Sequence, residues 1–587
     1  MTALRPRAWW LLIPALAFLA ALMVWPVGQL LSQSVLARDG ALTLAQYERI
    51  AATPVYLRIL GLTFRCALWT TLLAVLFSYP VAYLIATSNN DRRARLMFWV
   101  LLPFWTSFLV RAFAWIVLLG RNGVINQYLQ ALGITDEPAA LLFNFGAVMV
   151  GMLHALMPLC VVTMVSVMEN IDGNLSRAAL TLGGRPGSTF WRIYFPLSMP
   201  GVAAGGLLVF ITALGFFIIP ALLGSPREIM LPQIIIQQVQ ELLNWRFAGA
   251  LSLLLLVSVL LVFLLYDRVF GVSTLAGAAG GEAAPTRARW TGAAGRTVLA
   301  ALGRITDALA APFEAAFGAT ATRPARPFGR WLLIAVAALI FAFLALPAFL
   351  MIPVSFTGSG MLDWPPRGFS LQWYEGLWEA PQWTAATLRS FQVAFLTGLL
   401  AMLIGTPAAF GLMRGLRRGG SAVLALLLAP LIIPRIIIAV ALFYLFARLQ
   451  MVGSTLGLVL GHTLLAIPYV VVTVMAVLKT YDIRYDAAAA SLGANRLRTL
   501  WHVTLPLMKS GLAAAFLFAF ITSFDELTIA LFTTGGLNAT LPKQMWDSAV
   551  LQVNPTLAAV STLLLLLVTL VLLAADWLRR RDRAVRT

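Results

Sequence analysis

Asp172–Gly201, DGNLSRAALTLGGRPGSTFWRIYFPLSMPG, returns 310 positions later (482 less 172) as Asp482–Gly511, DIRYDAAAASLGANRLRTLWHVTLPLMKSG. Both segments open on an aspartate and run through small residues. Gly183 and Gly493, Pro196 and Pro506, and Gly201 and Gly511 then fall in register. The match extends outward. Gly151 and Pro158 pair with Gly461 and Pro468, and Leu231-Pro232 pairs with Leu541-Pro542. Nearer the start of each half, Pro26, Tyr47, Pro80 and Pro103 pair with Pro353, Tyr374, Pro407 and Pro430 at an offset of 327 (407 less 80). Two constant offsets running through both halves mean an internal duplication, and a repeat sets the architecture before any single element is placed. The offset changes by 17 (327 less 310) between the third and fourth apolar runs, so the first half carries the longer loop, around Arg121 to Ala140.

Composition says what kind of unit is duplicated. The 587-residue chain is 60% hydrophobic and only 11% charged, with a mean hydropathy of +0.88. A soluble domain is about 25% charged, so a soluble fold is excluded. Apolar runs long enough to cross a bilayer fall at 9–31, 60–87, 97–119, 141–167, 199–223 and 247–267, then at 331–356, 388–412, 421–447, 456–478, 510–533 and 556–576. The expected fold is an all-α integral membrane protein of twelve helices in two homologous halves, 1–267 and 331–587, joined by a cytoplasmic linker, 268–330. The net charge of +19 sits in short segments between the runs: the N-terminus, Asp91–Arg95, 168–197, 268–330, Arg414–Arg418, 480–508 and the stretch from Arg579 onward. That pattern is the positive-inside signal, not a nucleic-acid surface, and it places both termini in the cytoplasm. Trp9 to Leu31 is too long for a signal-peptide core and reads as a retained span. In the linker, Val298, Leu302, Ile305 and Leu309 have helical spacing before Pro312, with Arg296, Arg304 and Asp307 on other faces. A short helix on the cytoplasmic membrane surface and a disordered linker are the two readings, neither with chemistry of its own.

Enzyme chemistry finds no foothold. Cys66 and Cys160 lie in apolar runs and read as buried thiols, and His154, His462 and His502 lack metal-ligand spacing. The only lysines, Lys479, Lys509 and Lys543, follow no glycine frame of the phosphate-cradling kind. No catalytic residue, metal or bound cofactor is expected, and any ATP must be handled by another subunit.

The loop between the fourth and fifth spans carries the function. It reads Arg177-Ala178-Ala179, then Gly183, then Ile193-Tyr194-Phe195-Pro196; its counterpart reads Ala487-Ala488-Ala489, then Gly493, then Val503-Thr504-Leu505-Pro506. Small residues form a short helix that another backbone can approach, a left-handed glycine ends it, and the proline suits the first turn of the next helix. This spacing resembles the EAA loop of ABC importer permeases: Glu-Ala-Ala, three residues, Gly, nine residues, Ile-x-Leu-Pro. The resemblance implies a coupling helix that docks in a cleft of an ATPase subunit, once per half. The family's glutamate is replaced by Arg177 and Ala487, with Asp486 adjacent in the second half as a partial substitute.

Beyond the loops, Leu102-Pro103-Phe104-Trp105-Thr106-Ser107, Arg111-Ala112-Phe113-Ala114-Trp115 and Gly123-Val124-Ile125-Asn126 look like one permease subunit of spermidine/putrescine importers. Ser523-Phe524-Asp525-Glu526 and Thr540-Leu541-Pro542 resemble its partner subunit. The resemblance implies a fused permease pair in the inner membrane, two ATPase subunits using ATP and magnesium, a periplasmic binding protein, and alternating-access uptake of a polyamine. Permeases for ferric iron, thiamine, aminoethylphosphonate and opines share much of the pattern. An ion-coupled secondary transporter, with twelve spans of its own, is the rival from another class.

Asp525 and Glu526 also carry a physical reading. A carboxylate at the centre of a span costs about 2.5–3.5 kcal/mol on insertion scales, so it faces protein or a watery path. Thr522, one turn earlier, extends a polar stripe toward the pore. Only one of two adjacent carboxylates faces the path, because successive helical residues point about 100° apart. The alternative is an ion pair with Arg111 or Arg435. Trp105 and Trp115 offer faces to an ammonium group, or else belong to interfacial belts and packing. Gly215 and Phe216 hold the matching places in the first half, so an acidic site is one-sided.

Overall fold

The computed structural model describes residues 8–37, 39–270, 293–316, 328–362, 364–415, 419–551, 554–567 and 569–570. In hydrocarbon, every backbone N–H and C=O needs a partner within the protein, and a helix supplies one inside a single segment. The long described elements are accordingly all helices. Ten of them are long and apolar enough to cross a membrane. In the first half they are Trp9–Gln33, Pro54–Ala86, Phe108–Ala131, Phe145–Met168, Pro186–Leu214 and Trp245–Tyr266. In the second they are Gly329–Ser355, Pro381–Arg414, Thr455–Thr480 and Arg496–Phe524. Gly420–Ile432 and Arg435–Arg448 form a further, bent pair with 90° between their axes, and Thr556–Leu567 is a shorter apolar helix at the place of the last expected run. The arginine-rich stretch from Arg579 onward and residues 416–418, with Arg417 and Arg418, lie outside the described residues, as do Met1–Arg7.

Two pairs of expected spans are broken where apolar composition gave no warning. The run 97–119 divides into Asn90–Trp105 and Phe108–Leu119, with Thr106 and Ser107 extended between them. Its repeat divides between Ile432 and Arg435, where Pro434 lacks an N–H and holds Ile433 extended. Asp91–Arg95, expected as a loop, begins the first of these helices, whose Asn89 side chain accepts from Arg92 N–H. The runs 199–223 and 510–533 also divide, at Gly215 and at Asp525. Asp525 therefore stands at a helix end, at a break inside the expected run.

The repeat is legible in hydrogen bonds. Thr63 Oγ1 accepts the N–H of Leu231 at 2.9 Å, and Ser390 Oγ accepts that of Leu541 at 2.7 Å. These are matched positions in the two halves, and each hydroxyl satisfies a buried helix-terminal N–H. Tyr47 donates to Ser34 at 2.7 Å, and Tyr374 and Ser355 hydroxyls meet at 2.6 Å, so both repeat tyrosines tie down the end of the preceding span. The longer first-half loop carries the helix Val124–Ala131 and is knitted by Asn126, which bonds to Gly120 and to both backbone groups of Ala139.

The linker contains a helix, Ala293–Ala316, that runs through Pro312 instead of ending before it. Val298, Ile305 and Leu309 face outward. Another face, with Gly303, Thr306 and Asp307, packs on the start of the helix Pro186–Leu214.

Candidate functional site

Both duplicated loops fold into the same device. Asp172 accepts Asn174 N–H at 2.9 Å and opens the helix Gly173–Thr181; Asp482 accepts Arg484 N–H at 2.9 Å before the helix Arg484–Ser491. Each helix ends on a left-handed glycine, Gly183 at φ +84° and Gly493 at φ +83°. Beyond it, Gly184 N–H returns to Ala179 O at 2.9 Å and Ala494 N–H to Ala489 O at 3.0 Å. That is the helix-ending pattern the spacing predicts. Arg177, Ala178, Ala487 and Ala488 are exposed, Ala179 is half-buried and Ala489 is buried. Leu182 and Leu492, at matched positions, are each 88% exposed, and Leu175, Leu180, Ile483 and Tyr485 extend the same apolar tips. Apolar residues clustered on a projecting tip mark an interaction surface.

The loops differ at their bases. In the second, Asp486 accepts from Tyr481 at 2.6 Å and from Thr504 at 2.9 Å, and pairs with Arg414 at 3.1 Å. Burial, and then the bond to Asp486, hold the Tyr481 hydroxyl above its ordinary range, so it stays a donor at neutral pH. The first half has Ser176 and Ile171 at the places of Asp486 and Tyr481. Pro196 and Pro506 do not open the next helices. Those begin ten residues earlier, at Pro186 and Arg496, and each proline follows a π turn, Phe190–Tyr194 or Leu500–Thr504. The wider turn removes the clash and the missing bond that proline imposes inside an α-helix.

A second candidate region lies between the halves. Thr106 and Ser107 at the first-half break face Phe520, Phe524, Asp525 and Pro542 across a cavity of ≈ 70 Å³. The half-buried Asp525 carboxylate sits beside the Ser107 hydroxyl and the Phe108 N–H, and its Oδ1 is buried without a hydrogen-bond partner. No ion pair within 4 Å joins it to Arg111 or Arg435 among the described residues. Arg111 instead donates to Ala155 O at 3.0 Å and lies over the Phe108 ring at 4.3 Å. The pseudo-symmetric position is closed: a Cβ on Gly215 would stand 3.0 Å from Cβ of Pro434, the repeat partner of Ser107.

The other expected pathway residues are not gathered there. Glu526 is buried; its Oε2 accepts from Ile529 N–H at 2.9 Å and Ala530 N–H at 3.4 Å, and lies 3.5 Å from His462 Nε2. His462 Nδ1 in turn meets Ser523 Oγ at 2.8 Å. This Ser-His-Glu cluster clamps a helix start deep in the protein, and sequence reading missed it because His462 and Ser523 are 61 residues apart. Thr522 bonds back to Phe518 O at 2.8 Å. Trp115 is buried against the rings of His154 and Phe343, at 5.7 and 5.4 Å. Trp105 ends its helix, and its side chain lies outside the described residues.

Two homologous halves of long apolar helices, each with one glycine-capped helix between its spans, define a duplicated all-helical membrane protein. The family model of the binding-protein-dependent transport system inner membrane component matches residues 78–272 and again residues 401–583. The chain belongs to that family and carries its domain twice. It is 32% identical over 264 residues to the spermidine/putrescine transport system permease protein PotB of Escherichia coli (strain K12), covering 44% of this chain and 96% of that one. Over 245 residues it is 32% identical to PotC of the same strain, covering 42% of this chain and 92% of that one. The PotB protein of Haemophilus influenzae matches at 32% over 244 residues, 40% of this chain and 85% of its own. The chain is thus a multi-pass inner-membrane permease of a type I ABC importer, a family in which separate subunits hydrolyse ATP.

Proposed function

We propose that this single chain forms the whole pore for a small polycation of the polyamine class, spermidine or putrescine. A binding protein outside the membrane delivers the solute. Two ATPase subunits, which bind the ATP and magnesium, dock on the glycine-capped helices around Ala178-Ala179 and Ala488-Ala489. Their closure draws both loops together and switches the pore between inward-facing and outward-facing states, with both termini in the cytoplasm. The chain itself makes and breaks no covalent bond.

The observation that carries the substrate class is Asp525, a carboxylate with one unpartnered buried oxygen at an otherwise mainly apolar cavity between the halves. A buried unpartnered acceptor is costly until a donor reaches it, and a charged donor contributes most. An ammonium group on a flexible apolar stem satisfies both the oxygen and the walls. The similarity to permeases named for spermidine and putrescine supports the same class.

The test is uptake of labelled spermidine by proteoliposomes holding the chain, its ATPases and its binding protein. Asp525→Asn is expected to lower uptake by about tenfold, the size of one lost charge-assisted hydrogen bond, with normal copurification of the ATPases. Uptake at the unsubstituted rate would remove the cation site. Ligand identification on the binding protein decides between a polyamine and ferric iron, thiamine, aminoethylphosphonate or an opine.

A further inference from the structure

The two helices that follow the coupling loops start differently. In the second half, Asn495 is the N-cap of its helix, and its side chain accepts Arg498 N–H at 2.9 Å. The matched residue in the first half is Arg185, which makes no capping bond. An arginine has no acceptor to offer a helix N-terminus, and its positive charge opposes the dipole there. The first half nonetheless has a cap, and it comes from the linker. Asp307, 7% exposed, accepts Gly187 N–H at 2.7 Å and Ser188 N–H at 3.1 Å, and also bonds the Ser188 hydroxyl. One buried carboxylate thus satisfies three donors at the helix N-terminus.

The contact is shaped on both sides. A Cβ on Gly187 would stand 2.6 Å from Asp307 Oδ1 and closer still to Thr306 Oγ1, and a Cβ on Gly303 would stand 3.0 Å from Ser188 Cα. The second half has Leu497 in place of Gly187, and it is 66% exposed. No helix is received there among the described residues.

We propose that the linker helix Ala293–Ala316 braces the first coupling loop, with Asp307 as a positioning residue that supplies from the linker the cap missing at Arg185. The linker is then part of the transmission between ATPase and pore in one half only. This rests on the reading of Gly173–Thr181 as a coupling helix.

The test uses the full chain assembled with its ATPases and binding protein, with two readouts: amide hydrogen exchange of Gly187 and Ser188, and solute imported per ATP hydrolysed. Asp307→Ala is expected to speed that exchange about tenfold, the size of a lost charged hydrogen bond, and to lower the import ratio severalfold. Arg185→Asn added to Asp307→Ala restores the import ratio and the protection of Ser188, because it rebuilds the cap that Asn495 gives Arg498 in the other half. Unchanged exchange in Asp307→Ala overturns the brace. Faster exchange with an unchanged import ratio overturns the positioning role. Gly183→Val separates the two levels: if it keeps full uptake, the loop is not a coupling element, and the proposal falls with that reading whatever the exchange rates.

Discussion

The two coupling loops have the same tip and different roots. At the tips, the left-handed glycines agree within a degree and the leucines before them are equally exposed. At the roots, the second loop is held by its own Asp486, through Tyr481, Thr504 and Arg414. The first is held by Asp307, some 120 residues away in the linker. Duplication thus preserved the surface offered to a partner and left each half to stabilise it by other means. A carboxylate is used in both, because its two oxygens can take several donors at once.

Three substitutions in the loops sharpen or break this comparison. Gly183→Val and Gly493→Val act on the shared tip. A left-handed L-residue costs about 1–2 kcal/mol, more for a branched side chain, so each is expected to cut ATP-driven uptake about tenfold. Equal losses in the two variants support equivalent tips, and a loss in only one would break the equivalence. Asp486→Ala acts on one root. It removes the carboxylate that Arg414, Tyr481 and Thr504 share, at a cost of about 1–3 kcal/mol. Amide exchange should rise over residues 482–499 and stay unchanged over 172–189.

A smaller effect is expected from Thr63→Val and Ser390→Ala, which strip the partner from matched buried N–H groups. Each should lower the melting temperature of the purified protein by about 2 °C, and by similar amounts in the two halves. The smallest belongs to Thr522→Val. Its hydroxyl is satisfied within its own helix, so uptake should stay within about 0.5 kcal/mol of wild type in transition-state terms. A large loss there would put Thr522 on the pathway.

Much of the fold was legible in the sequence, and what was hidden has a common cause. Offsets of 310 and 327 pair residues that make the same bonds, such as Thr63 with Ser390. The glycine caps followed from local backbone rules. The helix breaks at Ser107, Pro434, Gly215 and Asp525 did not, because leucine and phenylalanine continue across them and hydropathy does not sense backbone direction. In the sequence, Asp525 and Glu526 read as one acidic pair. Their separation, one at the cavity and one clamping the helix Thr528–Thr533, depends on that unforeseen break. Asp307 looked like one polar face of a linker helix. A signal for it was present in the repeat itself: Arg185 against Asn495, and Gly187 against Leu497, mark a helix start that lacks its own cap and makes room for a neighbour.

The central claim, that both loop tips are docking surfaces, is open to one direct measurement. Cys66 and Cys160 are the only cysteines and both are buried, so Leu182→Cys and Leu492→Cys each introduce a single exposed thiol. With a short thiol–amine crosslinker in native membranes, each variant is expected to join an ATPase subunit, and the two together should capture two copies per chain. Crosslinking at only one position, or at neither while ATP-driven uptake continues, would contradict the account.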